Sequence, residues 1–310
     1  MSTIRQRAEE YLAMRRGLGF KLTTFGQRLL SFVAYLERHD ADVLTVDLAV
    51  AWATSTPRST NQVHWSRRLM VVRCFARHLA VLDPATQVPG VDILSRHYCR
   101  VSPHLYSPSE IDALLEATAT LRPPLRAATW ATLLGLLAVT GMRPGEACRL
   151  DRQDVDLTDA VVTIWNSKFD HCRQIPVRPD TVTALRRYAR TRDQARVTAR
   201  TPAFLVSTRG TRLDEHNLSK TFRTLTQTAG ITTPPGQRPA RLIDLRHTFA
   251  VATMLDWYRD GADVQALLPR LSTYLGHTDP KSTYWYLEGS PELLALVAAR
   301  LEHAFTTSPR

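Results

Sequence analysis

Thr140-Gly141-Met142-Arg143-Pro144-Gly145-Glu146 closes a long apolar run over residues 127–139. A run of that length and evenness predicts a buried helix, and Gly141 is suited to stop it because glycine takes the left-handed conformation at helix ends without strain. Pro144 fits the first position of a new helix, where its fixed φ is already helical and its missing N–H is not needed. Arg143 then stands just ahead of that helix and Glu146 one turn inside it, so the carboxylate stays near the guanidinium and can orient it. An ordinary first-turn acid, favoured by the helix dipole, would occupy the same place.

Working outward, residues 160–165 and 173–177 have strand composition and are separated by 166–172, which reads as a hairpin turn carrying Lys168. A helix over 181–192, a short strand over 203–207 and a helix over 214–229 stopped by Gly230 follow. Residues 232–241 are rich in Pro and Gly and read as a loop; helices are expected over 244–260 and 262–271, and an amphipathic helix over 291–305 with Leu293, Leu294, Leu296, Val297 and Leu301. Upstream, Ser107-Pro108-Ser109-Glu110 has the spacing of a capping box that opens a helix running through Ala117.

Residues 1–82 read as a helical unit with helices over 24–38, 45–54 and 63–82. Pro84, Pro89, Gly90 and Pro103 interrupt the pattern over 83–107, which is expected to act as a linker. The organisation predicted is a helical domain over 1–103 and a second domain over 104–310, mainly α with a small antiparallel β-sheet.

The chain has 310 residues, 40 Lys plus Arg against 29 Asp plus Glu, and a formal net charge of +11, with pI about 9.9. That balance suits a polyanionic partner such as nucleic acid, although a generic basic surface has the same composition. Cys74, Cys99, Cys148 and Cys172 show no paired spacing, so neither a zinc site nor a disulfide framework is indicated and a reducing compartment is expected. The first ten residues are charged and no apolar run approaches the roughly 18 residues of a membrane span, which predicts a cytoplasmic protein with no membrane partner.

Two further motifs complete the picture. Ile243-Asp244-Leu245-Arg246-His247 supplies a second arginine, and Leu275-Gly276-His277 is followed nine residues later by Tyr286. In order, Arg143, Lys168, Arg246, His277 and Tyr286 resemble the active-site set of the tyrosine recombinases, the phage-integrase family, over most of residues 105–290. The resemblance implies a helical core-binding domain followed by a mostly helical catalytic domain that together clamp double-stranded DNA. It also implies a site-specific recombinase or integrase of a mobile element, in the transposon or integron-like branch, acting as a homotetramer on two duplexes.

The implied reaction is phosphoryl transfer through a 3′-phosphotyrosyl link. Tyr286 attacks the phosphate, and the covalent intermediate keeps the energy of the broken bond, so no cofactor or metal is required. Arg143 and Arg246 would bind the non-bridging oxygens through paired charge-assisted hydrogen bonds. Lys168 would protonate the leaving 5′ oxygen, and His277 would donate a hydrogen bond to the phosphate. Tyr284 and Trp285 flank the nucleophile, and Tyr286 is preferred to Tyr284 on spacing.

One departure stands out: Ile243 occupies the slot where the family usually carries the first His of a His-x-x-Arg pair. Loss of a proton-transfer group removes about 10²- to 10⁴-fold of rate, so slow exchange is expected. His247 is adjacent but about 100° further round a helix, and is expected to make a structural hydrogen bond instead. Two other readings stay open: an impaired DNA-binding accessory protein served by a partner recombinase, and a type IB topoisomerase. In the amino-terminal domain, Arg15, Arg16, Lys21, Arg67, Arg68 and Arg73 are candidate phosphate contacts, with a solvated helix face as the alternative.

Overall fold

The computed structural model describes residues 3–55, 62–94, 102–166, 171–195, 201–234 and 238–277. The chain divides into two compact units, Met1–Arg100 and Val101–Arg310.

Among the described residues the first unit forms four helices, α1 (Ile4–Gly17), α2 (Thr23–Arg38), α3 (Val46–Thr54) and α4 (Gln62–Leu82). Their apolar faces meet in one core in which Leu29, Phe32, Leu36, Leu69 and Phe75 are fully buried. Burying each such side chain contributes roughly 1.5–3 kcal/mol before chain entropy is counted. The expected linker is a correction: residues 83–94 fold back onto this unit. Gln87 bonds its N–H to the Leu44 carbonyl and accepts from the Val46 N–H, while Ile93 and Leu94 pack on the core. The prolines break helical periodicity there without preventing packing.

The second unit is organised around α6 (Pro124–Thr140), whose Leu133 and Leu137 are fully buried and which packs against α5 (Pro108–Ala117), α7 (Pro144–Arg149), α8 (Pro179–Gln194) and α10 (Asp244–Arg259). A helix surrounded on so many sides needs apolar residues nearly all round, as the sequence of α6 provides. The capping box expected at Ser107 is present, with Ser107 Oγ accepting from the Glu110 N–H and Glu110 accepting from the Ser107 N–H. Just ahead of it, Tyr106 ties this entry segment to α10: its N–H donates to Thr248 Oγ1 and its hydroxyl to the Arg241 carbonyl.

The sheet has three antiparallel strands in the order β1 (Val155–Asp156), β2 (Val161–Asn166) and β3 (His171–Pro176). In the β2–β3 register Val162 opposes Ile175 and Ile164 opposes Arg173. Three local expectations are corrected. Residues 203–207 make two isolated bridges, Ala203 with Asp151 and Val206 with Arg212; each pairs with a different neighbour, so no ladder forms. Residues 214–229 begin with a tight 3-10 turn because Asp214 accepts from the His216 N–H, and α9 starts only at Leu218 (Leu218–Thr228). The last described helix, α11 (Val264–Leu275), runs past Pro269 and stops at Gly276 rather than near residue 271. The amphipathic stretch over 291–305 lies outside the described residues.

Candidate active site

Helix ends build the site. α6 stops at Gly141 (φ +60°) and α11 at Gly276 (φ +67°), both left-handed. A Cβ at Gly141 would lie 2.5 Å from the Phe249 ring, so close packing as well as backbone conformation requires glycine there; at Gly276 the left-handed backbone favours glycine, and Arg173 Nη1 lies 2.6 Å from where a Cβ would be. The two helix ends lie on either side of Arg246, which is 2% exposed in the first turn of α10. Its Nη1 donates to the Gly141 carbonyl at 2.9 Å and its Nη2 to the Leu275 carbonyl at 2.6 Å. A guanidinium at the carbonyl ends of two helices sits where their dipoles favour positive charge.

Arg143 precedes α7, as the sequence placed it, and reaches the same turn from the other side. Its Nη2 donates to the Gly276 carbonyl at 3.1 Å and its Nη1 to Glu146 Oε1 at 2.7 Å, while its backbone N–H donates to Glu146 Oε2 at 2.8 Å. Glu146 thus accepts from both the side chain and the backbone of Arg143. Burial pushes its carboxyl upward, but the hydrogen bond and charge of Arg173, with the N–H and charge of Arg143, outweigh that and leave it below the usual carboxylate range.

His277 directly follows the Gly276 turn, its N–H bonded to the Ser272 carbonyl. Burial, with Arg246, Arg143, His247 and Arg173 nearby, lowers the imidazole to about 4. At neutral pH the ring is uncharged and carries one N–H to donate. Arg143, Glu146, Arg246 and His277 are thus gathered around residues 275–277, whereas Lys168 and Tyr286 lie outside the described residues. Ile243 is half-buried immediately before α10, and His247 lies 4.0 Å from Asp244 Oδ1 on that helix. Burial lowers His247 also to about 4.

Sequence reasoning missed Arg173. It lies on the same face of the hairpin as buried Ile164 and Ile175. An arginine in a core-facing strand position was the available signal, because a buried charge demands a carboxylate partner. Glu146 is that partner, at 2.6 Å.

Of the amino-terminal candidates, two are engaged by the fold. Arg68 donates to the Trp52 carbonyl at 2.6 Å and stacks over its ring at 3.9 Å; Arg73 donates to the Pro89 and Gly90 carbonyls at 2.9 and 2.6 Å. Both guanidiniums hold loop or helix-end carbonyls of the folded unit. Arg16, Lys21 and Arg67 are exposed, and Arg15 is half-buried with its guanidinium 4.4 Å from the Phe20 ring centre.

Residues 106–292, well over half of the chain, match the Phage integrase family. The chain belongs to that family. Over its whole length this integrase-family chain is similar to the putative integrase/recombinase y4rB of Sinorhizobium fredii (strain NBRC 101917 / NGR234), with 42% identity covering 97% of this chain and 98% of the relative. It is also 29% identical to the tyrosine recombinase XerC of Roseiflexus sp. (strain RS-1) over 71% of this chain and 66% of that one. Among solved structures the fold is similar to XerH recombinase bound to difH (TM-score 0.65, 17% identity, 91% of this chain and 80% of that one). A lambda integrase dimer on a core site gives a TM-score of 0.63 at 17% identity, covering 93% of this chain and 78% of that one.

As a member of the tyrosine recombinase family the protein is a site-specific DNA recombinase that cleaves and rejoins DNA strands. Likeness to integrase/recombinases over nearly the whole chain does not favour the accessory-protein and topoisomerase readings. Among the described residues no helix is long and apolar enough to cross a membrane.

Proposed function

We propose that strand cleavage here is carried by Tyr286 as nucleophile, with Arg143 and Arg246 on the scissile phosphate, His277 donating to a non-bridging oxygen and Lys168 protonating the leaving 5′ oxygen. The observation that supports this reading is the convergence of Arg143, Arg246 and neutral His277 on one turn, nine residues ahead of Tyr286. Preorganised donors aimed at one phosphate stabilise developing charge without having to reorganise during the reaction. The two arginines now donate to backbone carbonyls. A bound phosphate would compete for those donors, with its negative charge in its favour.

The segment over 104–310 acts as the catalytic domain and the segment over 1–103 as the core-binding domain, gripping DNA phosphates through Arg15, Arg16, Lys21 and Arg67. The working form is a homotetramer holding two duplexes, in the cytoplasm, in the service of a transposon-like mobile element and with partner recombinases where that element encodes them. A lambda integrase tetramer bound to a Holliday junction and the Tn1549 transposon integrase, which share this fold, lend support to the assembly and to the element.

The test uses nicked duplexes carrying the ends of the native element, read on denaturing gels. Wild type is expected to yield a covalent protein–DNA adduct and Tyr286→Phe none; an adduct that survives in Tyr286→Phe assigns the nucleophile elsewhere.

A further inference from the structure

Arg173 is absent from the set that carries the family resemblance, yet it touches the centre of it. Its Nη2 bonds Glu146 Oε2 at 2.6 Å and its Nη1 bonds Oε1 at 3.2 Å, the oxygen that also accepts from Arg143 Nη1 at 2.7 Å. One buried carboxylate therefore holds two guanidiniums. The same Arg173 group lies against Gly276, where a Cβ would come within 2.6 Å of Nη1, and the Gly276 carbonyl is the one that accepts from Arg143. Among the described residues Arg173 Nε is buried with no hydrogen-bond partner, and the Glu146 pair supplies the hydrogen bonds that hold the side chain there.

Its position in the chain gives these contacts a consequence. Arg173 is in β3, five residues after Lys168 in the sequence, so whatever fixes Arg173 fixes the strand that follows that lysine. We propose that Arg173 is a positioning residue for strand cleavage, locking the β2–β3 hairpin through Glu146 and Gly276 to the turn that presents Arg143 and His277. This rests on the strand-cleavage reading above. Without Arg173, Glu146 keeps one cationic partner and the hairpin loses its attachment to the Gly276 turn, and misplacement of reacting groups by about 1 Å can cost on the order of 10² in rate. Lysine restores the charge but not the two-pronged contact.

The experiment uses the full chain. Single-turnover adduct formation on a nicked duplex, DNA affinity, and the pH titration of the His277 imidazole by NMR are compared in wild type, Arg173→Gln and Arg173→Lys. Arg173→Gln is expected to slow adduct formation by about 10²-fold while DNA affinity stays within about threefold, with Arg173→Lys in between. His277, kept neutral chiefly by burial, is expected to titrate at higher pH in Arg173→Gln, because the turn that buries it is loosened and a nearby cation is gone. An unchanged rate, or a slowed rate with an unmoved His277 titration, overturns the proposal; the second result assigns the loss to general destabilisation. If Arg173→Gln does not fold, Arg173→Lys decides by the same readings. If wild type forms no adduct, the strand-cleavage reading falls, and the His277 titration in Arg173→Gln still decides whether Arg173 holds the turn.

Discussion

His247 and His277 are both neutral in the folded chain, each lowered to about 4 chiefly by burial. In the unfolded chain they take up a proton near the ordinary value of about 6.5. Between those values the unfolded state binds more protons, so the stability these groups contribute is complete above about pH 6.5 and is lost as pH falls toward 4. For His247, whose side chain is 15% exposed and faces Asp244, Arg241 and Arg246, the loss approaches about 1.4 kcal/mol per pH unit. Urea midpoints of the second unit at pH 7.5 and 5.5, above the carboxylate range, should therefore differ, and His247→Gln should reduce the difference; equal midpoints in wild type would contradict the buried neutral state. Ile243 raises a separate question of chemistry. Ile243→His is expected to raise the adduct-formation rate by about tenfold or more, by restoring a group that can move a proton. A rate unchanged by that substitution would mean that Tyr286 loses its proton by a route independent of this position.

The ends of α6 and α11 matter as much as their lengths, because their terminal carbonyls receive Arg246. Gly141→Ala forces a side chain into a left-handed position and into the Phe249 ring, so it should lower the stability of the second unit by about 1–3 kcal/mol, read as a reduced melting temperature. Gly135→Ala is the matched control. It lies within the same helix with nothing inside 4 Å of its added Cβ, and should be neutral or stabilise by up to about 1 kcal/mol. If both variants melted alike, the packing of Gly141 against Phe249 would not be what fixes the turn.

Across the whole molecule, a net charge of +11 makes DNA affinity salt-dependent, since each phosphate neutralised releases a counterion. Arg67→Ala should weaken binding evenly across sequences and reduce the slope of log affinity against log salt by about 1. Arg73→Ala should leave that slope unchanged and instead destabilise the first unit, because its guanidinium is bonded to the Pro89 and Gly90 carbonyls. Fluorescence anisotropy at several salt concentrations, with thermal melts alongside, separates the two. A reduced slope in Arg73→Ala would show that its internal hydrogen bonds yield to DNA.

The sequence alone determined the helices around Gly141 and Ser107, the β2–β3 hairpin and the family, because these depend on local signals: apolar periodicity, caps, glycine stops and an ordered set of motifs. It also placed Arg143, Arg246 and His277, since each sits beside a helix end that its neighbours specify. Only the tertiary structure decided what the other charges do. Arg173 became part of the site, and Arg68 and Arg73 became struts of the first unit, because a guanidinium on a long side chain is assigned by whichever carboxylate or carbonyl lies within its reach. Those acceptors come from distant parts of the chain: Glu146 for Arg173, Trp52 for Arg68 and Pro89 with Gly90 for Arg73. The same holds for residues 83–94, where composition suggested a linker and long-range hydrogen bonds made a packed segment.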